Sequence, residues 1–245
     1  MKFIDLIQNY YGKQILVGGH RGHQSETREN TIQSFIEVKN EGIKYVEIDV
    51  QLSNDNQAVI FHDQDLSERT PLSGTIRDYS VQKLKASFEL CTLEEAVIWC
   101  KKHGMFMLLE IKSKNYDDVT ERPILARQII DVIKCYQFQD ACIPLSIDYR
   151  ILKLIKREIP EINVAIIVGT PPDDPVKLMK DMQASIYLSY LEDMNQDIVQ
   201  KLHAAGYYVD GSVVNTKERL AQASALQVDM IESDHPATIR QFIFN

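Results

Sequence analysis

Short apolar runs alternate along this chain with longer stretches in which apolar residues recur every three or four positions. The short runs read as strands and the longer stretches as amphipathic helices. Such alternation is the signature of a parallel sheet with crossover helices. Nine strand-like runs stand out: "ILVGG" from Ile15, "YVEIDV" from Tyr45, "AVIFH" from Ala58, "FMLLEIK" from Phe106, "CIPLSI" from Cys142, "NVAIIVG" from Asn163, "ASIYLSY" from Ala184, "YYVDGSV" from Tyr207 and "DMIES" from Asp229.

Nine is one too many for a (β/α)8 barrel, and the spacing identifies the surplus. Only "QLSNDNQ" separates Val50 from Ala58, too little chain for the crossover that parallel neighbours need. Asn54, Asp55 and Asn56 form a turn cluster instead. "AVIFH" therefore returns as a hairpin arm on "YVEIDV", which brings His62 opposite Glu47 to Asp49. Eight runs remain, each followed by a helical stretch, and the pattern predicts a TIM barrel as a single domain over residues 1–245. Residues 64–91, with weak periodicity, Pro71 and Gly74, read as a small insertion passing over the C-terminal mouth. Thr92 and Glu95 predict a capping box for the helix that follows, and Pro236 suits the first turn of the last helix.

Composition narrows the partners. With 44% hydrophobic and 25% charged residues in 245, a sizeable core is available. A net charge of −8 argues against nucleic acid or an anionic membrane surface as partner. The first residues are too polar for a signal peptide, with Asp5, Gln8 and Asn9 interrupting the apolar run, and no stretch has the length of a membrane span. Cys91, Cys100, Cys135 and Cys142 lack metal-ligand spacing and read as reduced thiols of a cytoplasmic protein rather than a zinc site. A small-molecule substrate and no stable membrane insertion are the expectation; the oligomeric state is left open.

The candidate chemistry lies at the strand ends. In "YVEIDV", Val46, Ile48 and Val50 share one face while Glu47 and Asp49 share the other. In "FMLLEIK", Leu109 and Ile111 oppose Glu110 and Lys112. Inside a barrel, three carboxylates and a lysine then converge at the C-terminal mouth. Buried like charges need a cation, and an all-oxygen set suits one divalent ion, Mg2+ or Ca2+. The alternative is internal ion pairing, for instance Glu110 with Arg21. His20 and His62 each close an apolar run beside these acids, where two imidazoles provide a general acid and a general base. Arg21 and Lys112 supply fixed charge for a phosphate. Asp63 either orients His62 or starts a turn, and Glu29 and Asn30 read as caps of the first helix after "HRG". His23, His103, His203 and His235 read as structural.

Taken together, "HRG", "ENT..SF", "EIDVQLSNDNQAVIFHD", "LSERT", "TLEEAV", "LEIK" and "VDMIESDHP" resemble the glycerophosphodiester phosphodiesterases over nearly the whole chain. The resemblance implies metal-dependent hydrolysis of glycerophosphodiesters to glycerol 3-phosphate and an alcohol. It implies His20 and His62 as the acid–base pair, Glu47, Asp49 and Glu110 as metal ligands, and Arg21 and Lys112 near the phosphate. The chain departs from the family at Arg28, where proline is usual, and at Ser212, where a tryptophan lines the glycerol side of the pocket. The lone Trp99 falls on an outer helix, so Tyr79 or Phe88 of the 64–91 insertion is the candidate replacement. Rival readings are a phospholipase C/D-like enzyme acting on intact lipids, a metallo-amidohydrolase, disfavoured because His20 and His23 lack H-x-H spacing, and a non-catalytic binding barrel.

Overall fold

The computed structural model describes residues 1–24, 27–112 and 120–244. In chain order the elements are α1 (Phe3–Tyr10), β1 (Leu16–His20), α2 (Ile32–Asn40), β2 (Tyr45–Leu52), β3 (Ala58–Ile60), α3 (Val81–Ser87), β4 (Cys91–Thr92), α4 (Leu93–His103), β5 (Phe106–Ile111) and α5 (Glu121–Cys135). There follow β6 (Cys142–Ser146), α6 (Tyr149–Glu158), β7 (Ala165–Ile167), α7 (Pro175–Met182), β8 (Ile186–Leu188), α8 (Gln196–Ala204), β9 (Tyr208–Asp210), α9 (Lys217–Leu226), β10 (Met230–Ser233) and α10 (Pro236–Phe244). Strands β1, β2, β5, β6, β7, β8, β9 and β10 pair in parallel, and β1 closes the ring by pairing with both β2 and β10. This is the predicted TIM barrel.

β3 runs antiparallel to β2, with Val50 opposite Ile60 and Leu52 opposite Ala58. The turn is the predicted Asn-Asp-Asn cluster: Asn56 takes a left-handed φ of 59°, and Ser53 N donates to Gln57 O at 3.0 Å. The two-residue strand β4, too short to read from the sequence, pairs with β3. The insertion between them packs its own apolar cluster, in which Leu66, Ile76 and Leu84 bury against Val59 and Phe61. Thr92 and Glu95 form the reciprocal capping box on α4, at 2.9 and 3.2 Å. Pro236 opens α10.

Side-chain alternation divides the barrel into two apolar layers. Val46, Ile48, Val50, Met107, Leu109 and Ile111 face the helices. Tyr45, Phe106, Leu108 and Met230 face inward at the N-terminal end of the barrel. The polar residues that interrupt the first apolar run lie on the outer side of an amphipathic helix: α1 pushes Phe3, Leu6 and Ile7 into the floor of the barrel, with the Phe3 ring stacked on Phe106 at 5.1 Å. Burying those three side chains is worth roughly 5–8 kcal/mol before ordering costs. Gly18 is fixed by the same layer, since a Cβ there would sit 2.2 Å from the Tyr45 ring. The apolar floor leaves polar side chains only the opposite end.

Candidate active site

Strand register sets the geometry at that end. His20, the last residue of β1, pairs with Glu47, and Asp49 pairs with Glu110. The carboxylate oxygens of Glu47, Asp49 and Glu110 lie within 4.8 Å of one another. Lys112 Nζ is 2.9 Å from Asp49 Oδ1 and 2.6 Å from Glu110 Oε1, and Arg21 Nε is 3.5 Å from Asp49 Oδ2. Glu110 therefore pairs with Lys112 rather than Arg21. Arg21 itself has a left-handed φ of 55°, which turns its backbone N–H onto Glu47 Oε2 at 3.0 Å. Gly22 follows at φ 90°; a Cβ there would lie 2.1 Å from Ser34 Oγ, so the glycine makes room for the start of α2 and not for a ligand.

The triad is short of positive charge. Burial, then the neighbouring Asp49 and Glu110, push Glu47 well above the usual carboxylate range. Its Oε1 is buried with no hydrogen-bond partner among the described residues. Burial also works to raise Asp49, but Lys112, Arg21 and His62 with a hydrogen bond from Asn30 hold it below its ordinary value. Three clustered carboxylates with one oxygen orphaned fit a hard divalent cation. A second group, Glu29, His62 and Asp63, has comparable spacing. There the Arg69 guanidinium already stands between the acids, 2.9 Å from Asp63 Oδ2 and 3.3 Å from Glu29 Oε2.

Both site histidines are held through Nδ1 by a carboxylate. His62 Nδ1 is 2.7 Å from Asp63 Oδ1, so Asp63 orients His62. His20 Nδ1 is 2.6 Å from Asp234 Oδ1, in the loop after β10. Asp234 also accepts from Gln24 Nε2 at 2.7 Å and Asn215 Nδ2 at 2.6 Å. Burial works to raise Asp234, but the His20 hydrogen bond and charge, with Asn215, hold it below its usual value. Each imidazole thus has its Nε2 left for other work.

Asp234 is the functional candidate that residue reasoning left without a role. It stands just past a barrel strand, as His20, Glu110 and Lys112 stand at or beside theirs, and that position is its signal. Glu29 and Asn30 are corrections. Thr31, not Asn30, caps α2, accepting from Ser34 N at 3.2 Å. Asn30 exchanges two hydrogen bonds with Asp49, at 2.9 and 3.2 Å, and Glu29 holds Arg21 at 3.1 Å. Among the remaining histidines, His103 binds Trp99 O at 2.8 Å and His203 pairs with Asp229 at 2.9 Å, both structural contacts.

A cavity of about 430 Å³ opens beside His62, lined also by Gln51, Glu68, Glu110, Lys112 and Ile147. A larger one of about 670 Å³ lies by α1, lined by Tyr11, His203 and Phe242, and includes none of the strand-end charges. Neither Tyr79 nor Phe88 lines the first. Phe88 packs on Phe61 at 5.7 Å beneath the Arg28 guanidinium, and Tyr79 hydrogen-bonds Ser73 O at 2.9 Å. Ser212 is not an open gap either: it is 5% exposed, and its hydroxyl bridges Asp210 Oδ1, at 2.6 Å, and Glu232 Oε2.

Charge gathered at the ends of parallel strands, over an apolar floor, is the arrangement of TIM-barrel enzymes, whose chemistry sits at the C-terminal mouth. Residues 20–238 match the model of the glycerophosphoryl diester phosphodiesterase family, and the chain belongs to that family. A Bacillus altitudinis glycerophosphodiester phosphodiesterase is 25% identical over 232 residues, covering 89% of this chain and 93% of its own. The structure of an Oleispira antarctica phosphodiesterase in complex with the product sn-glycerol-3-phosphate superposes with a TM-score of 0.88 at 26% identity, covering 98% of this chain and 99% of that one. The structure of a candidate glycerophosphoryl diester phosphodiesterase from Silicibacter pomeroyi has the same fold, with a TM-score of 0.87 at 19% identity and coverage of 94% and 93%. No helix among the described residues is long and apolar enough to cross a membrane.

Proposed function

We propose that this enzyme hydrolyses small glycerophosphodiesters to glycerol 3-phosphate and an alcohol, using His20 and His62 for proton transfer and one divalent ion, Mg2+ or Ca2+, held by Glu47, Asp49 and Glu110. The observation that carries the reading is the pair of carboxylate-held imidazoles beside an acidic triad with an unpartnered oxygen. When bound, the ion supplies positive charge against the phosphate oxygens as negative charge builds in the transition state. Arg21 and Lys112, both beside Asp49, add fixed positive charge for the phosphate. Asp63 and Asp234 fix each ring by its Nδ1 hydrogen bond, so that Nε2 faces the reaction. One imidazole takes the proton of the attacking oxygen, from water or from the glycerol 2-hydroxyl, as it bonds to phosphorus, and the other delivers a proton to the alkoxide whose P–O bond breaks. Where the glycerol hydroxyl attacks, water then opens the cyclic phosphate to glycerol 3-phosphate. The product complex of the Oleispira antarctica relative supports glycerol 3-phosphate as a ligand of this kind of mouth.

The net charge of −8 and four free thiols suit a cytoplasmic enzyme acting on water-soluble diesters, without nucleic acid or a membrane as partner. A panel of glycerophosphocholine, glycerophosphoethanolamine, intact lysophospholipid and bis-p-nitrophenyl phosphate, assayed with Mg2+ or Ca2+, tests the reading. Turnover of the glycerol diesters with release of glycerol 3-phosphate is the expected result. Activity confined to intact lipid would replace it with the phospholipase C/D-like reading.

A further inference from the structure

His62 is the one proton-transfer candidate that lies on no barrel strand. The hairpin ladder ends with Phe61 N donating to Asp49 O at 2.9 Å, and His62 and Asp63 follow beyond the last residue of β3. A free strand end would leave an imbalance at the site, because both the imidazole and the carboxylate that orients it ride on the same two residues.

Gln51 supplies the missing anchor. It belongs to the inward row of β2, after Tyr45, Glu47 and Asp49, and is 3% exposed. The two N–H groups of its Nε2 are shared among three successive carbonyls, Phe61 O at 2.8 Å, His62 O at 3.0 Å and Asp63 O at 3.0 Å. Those contacts fix which end of the carboxamide is nitrogen. Its Oε1 is buried without a hydrogen-bond partner among the described residues, and the side chain is part of the wall of the cavity shared with His62, Glu110 and Lys112. Most buried side-chain oxygens are hydrogen-bonded, so the unpartnered carbonyl sets Gln51 apart from most interior braces. This one is built into the reaction cavity.

We propose that Gln51 is the positioning residue for His62: it ties the backbone of residues 61–63 to the strand that carries Glu47 and Asp49, and so holds the imidazole in register with the acidic triad. The inference rests on the reading of His62 as a proton-transfer group. Misplacement of a reacting group by about 1 Å costs on the order of 100-fold in rate, so the anchor is measurable in turnover.

The test is a double-mutant cycle on the full chain, with glycerophosphocholine and saturating divalent ion. Gln51→Leu keeps the volume and removes the donors; it should lower kcat by about 10- to 100-fold, with KM within about threefold. In a His62→Ala background the same change should cost less than about twofold, because nothing remains to be positioned. Gln51→Asn, which keeps a carboxamide at the mouth but is one methylene too short, guards against a folding defect in the leucine variant and should follow the same pattern. Equal losses in both backgrounds would overturn the Gln51 assignment while leaving His62 in its role. Wild-type turnover by His62→Ala would remove both.

Discussion

Glu47, Asp49 and Glu110 at the mouth of the barrel, and Asp210 and Glu232 deeper inside it, are both clusters of acids largely withdrawn from water, yet their surroundings are opposite in character. The mouth cluster is ringed by Arg21 and Lys112 and still leaves Glu47 Oε1 without a partner. Among the described residues, no cation forms an ion pair with the deep cluster. Its negative charge is met by hydroxyls: Tyr45 donates to Glu232 Oε1 at 2.7 Å, and Ser212 sits between the two carboxyl groups. Burial, then the adjacent Glu232, push Asp210 well above the usual range. A buried acid can be stabilised by charge or by protonation. Among the described residues both clusters keep a buried oxygen without a hydrogen-bond partner, Glu47 Oε1 and Asp210 Oδ2, and both hold one acid well above its usual range. The cations and imidazoles beside the mouth triad are what equip it for a ligand.

The largest expected effects are at the mouth. His20→Ala, His62→Ala and Glu47→Gln should each lower kcat by about 100-fold or more while leaving the melting temperature nearly unchanged; His23→Ala should do little. A His23→Ala enzyme as impaired as His20→Ala would misassign the loop. Next comes Asp234→Asn, which replaces the acceptor on His20 Nδ1 with an amide. A loss of about 10- to 100-fold in kcat is expected, with the fold intact by circular dichroism. Unchanged turnover would make Asp234 a loop brace only.

The deep cluster should respond in stability instead. Ser212→Ala removes the hydroxyl between two buried carboxyls and should cost about 1–3 kcal/mol in denaturant unfolding, with kcat within a few-fold of wild type. Asp210→Asn tests the upward shift of Asp210. The folded chain retains a proton that the unfolded chain releases above about pH 4, so stability falls as pH rises from there toward the raised folded value. The amide variant carries no such proton, and its stability should be flatter on the alkaline side. A variant with the wild-type slope would place the proton elsewhere. If Glu47→Gln unfolded the protein while Asp210→Asn abolished turnover, the comparison would be inverted.

The sequence carried the barrel because its signal is local. Period-two alternation in "YVEIDV" and "FMLLEIK" fixes which residues face inward, and seven residues between Val50 and Ala58 cannot hold a crossover. The same alternation brought Glu47, Asp49, Glu110 and Lys112 to one mouth. What it did not carry depends on contacts across the ring. Asp234 meets His20 only because β10 closes onto β1. Asn30 resembles a helix cap by position, and only the approach of β2 turns it toward Asp49. Ser212 reads as a lost aromatic wall, but its occupation by Asp210 and Glu232 requires β9 and β10 side by side. The apolar face of α1 was legible as a run, but not its destination under the barrel.

The central claim is that the mouth triad holds a divalent ion on which turnover depends. Its most direct test is calorimetric titration of Mg2+ or Ca2+ into chelator-treated enzyme, with glycerophosphocholine hydrolysis measured in the same samples. Binding of one ion per chain is expected, with activity returning in proportion to occupancy. Because Glu47 is pushed well above the usual carboxylate range, binding should release a proton and tighten as pH rises; Glu47→Gln should weaken it by about 10-fold or more. Full turnover in chelator, with metal analysis finding no bound ion, would contradict the account.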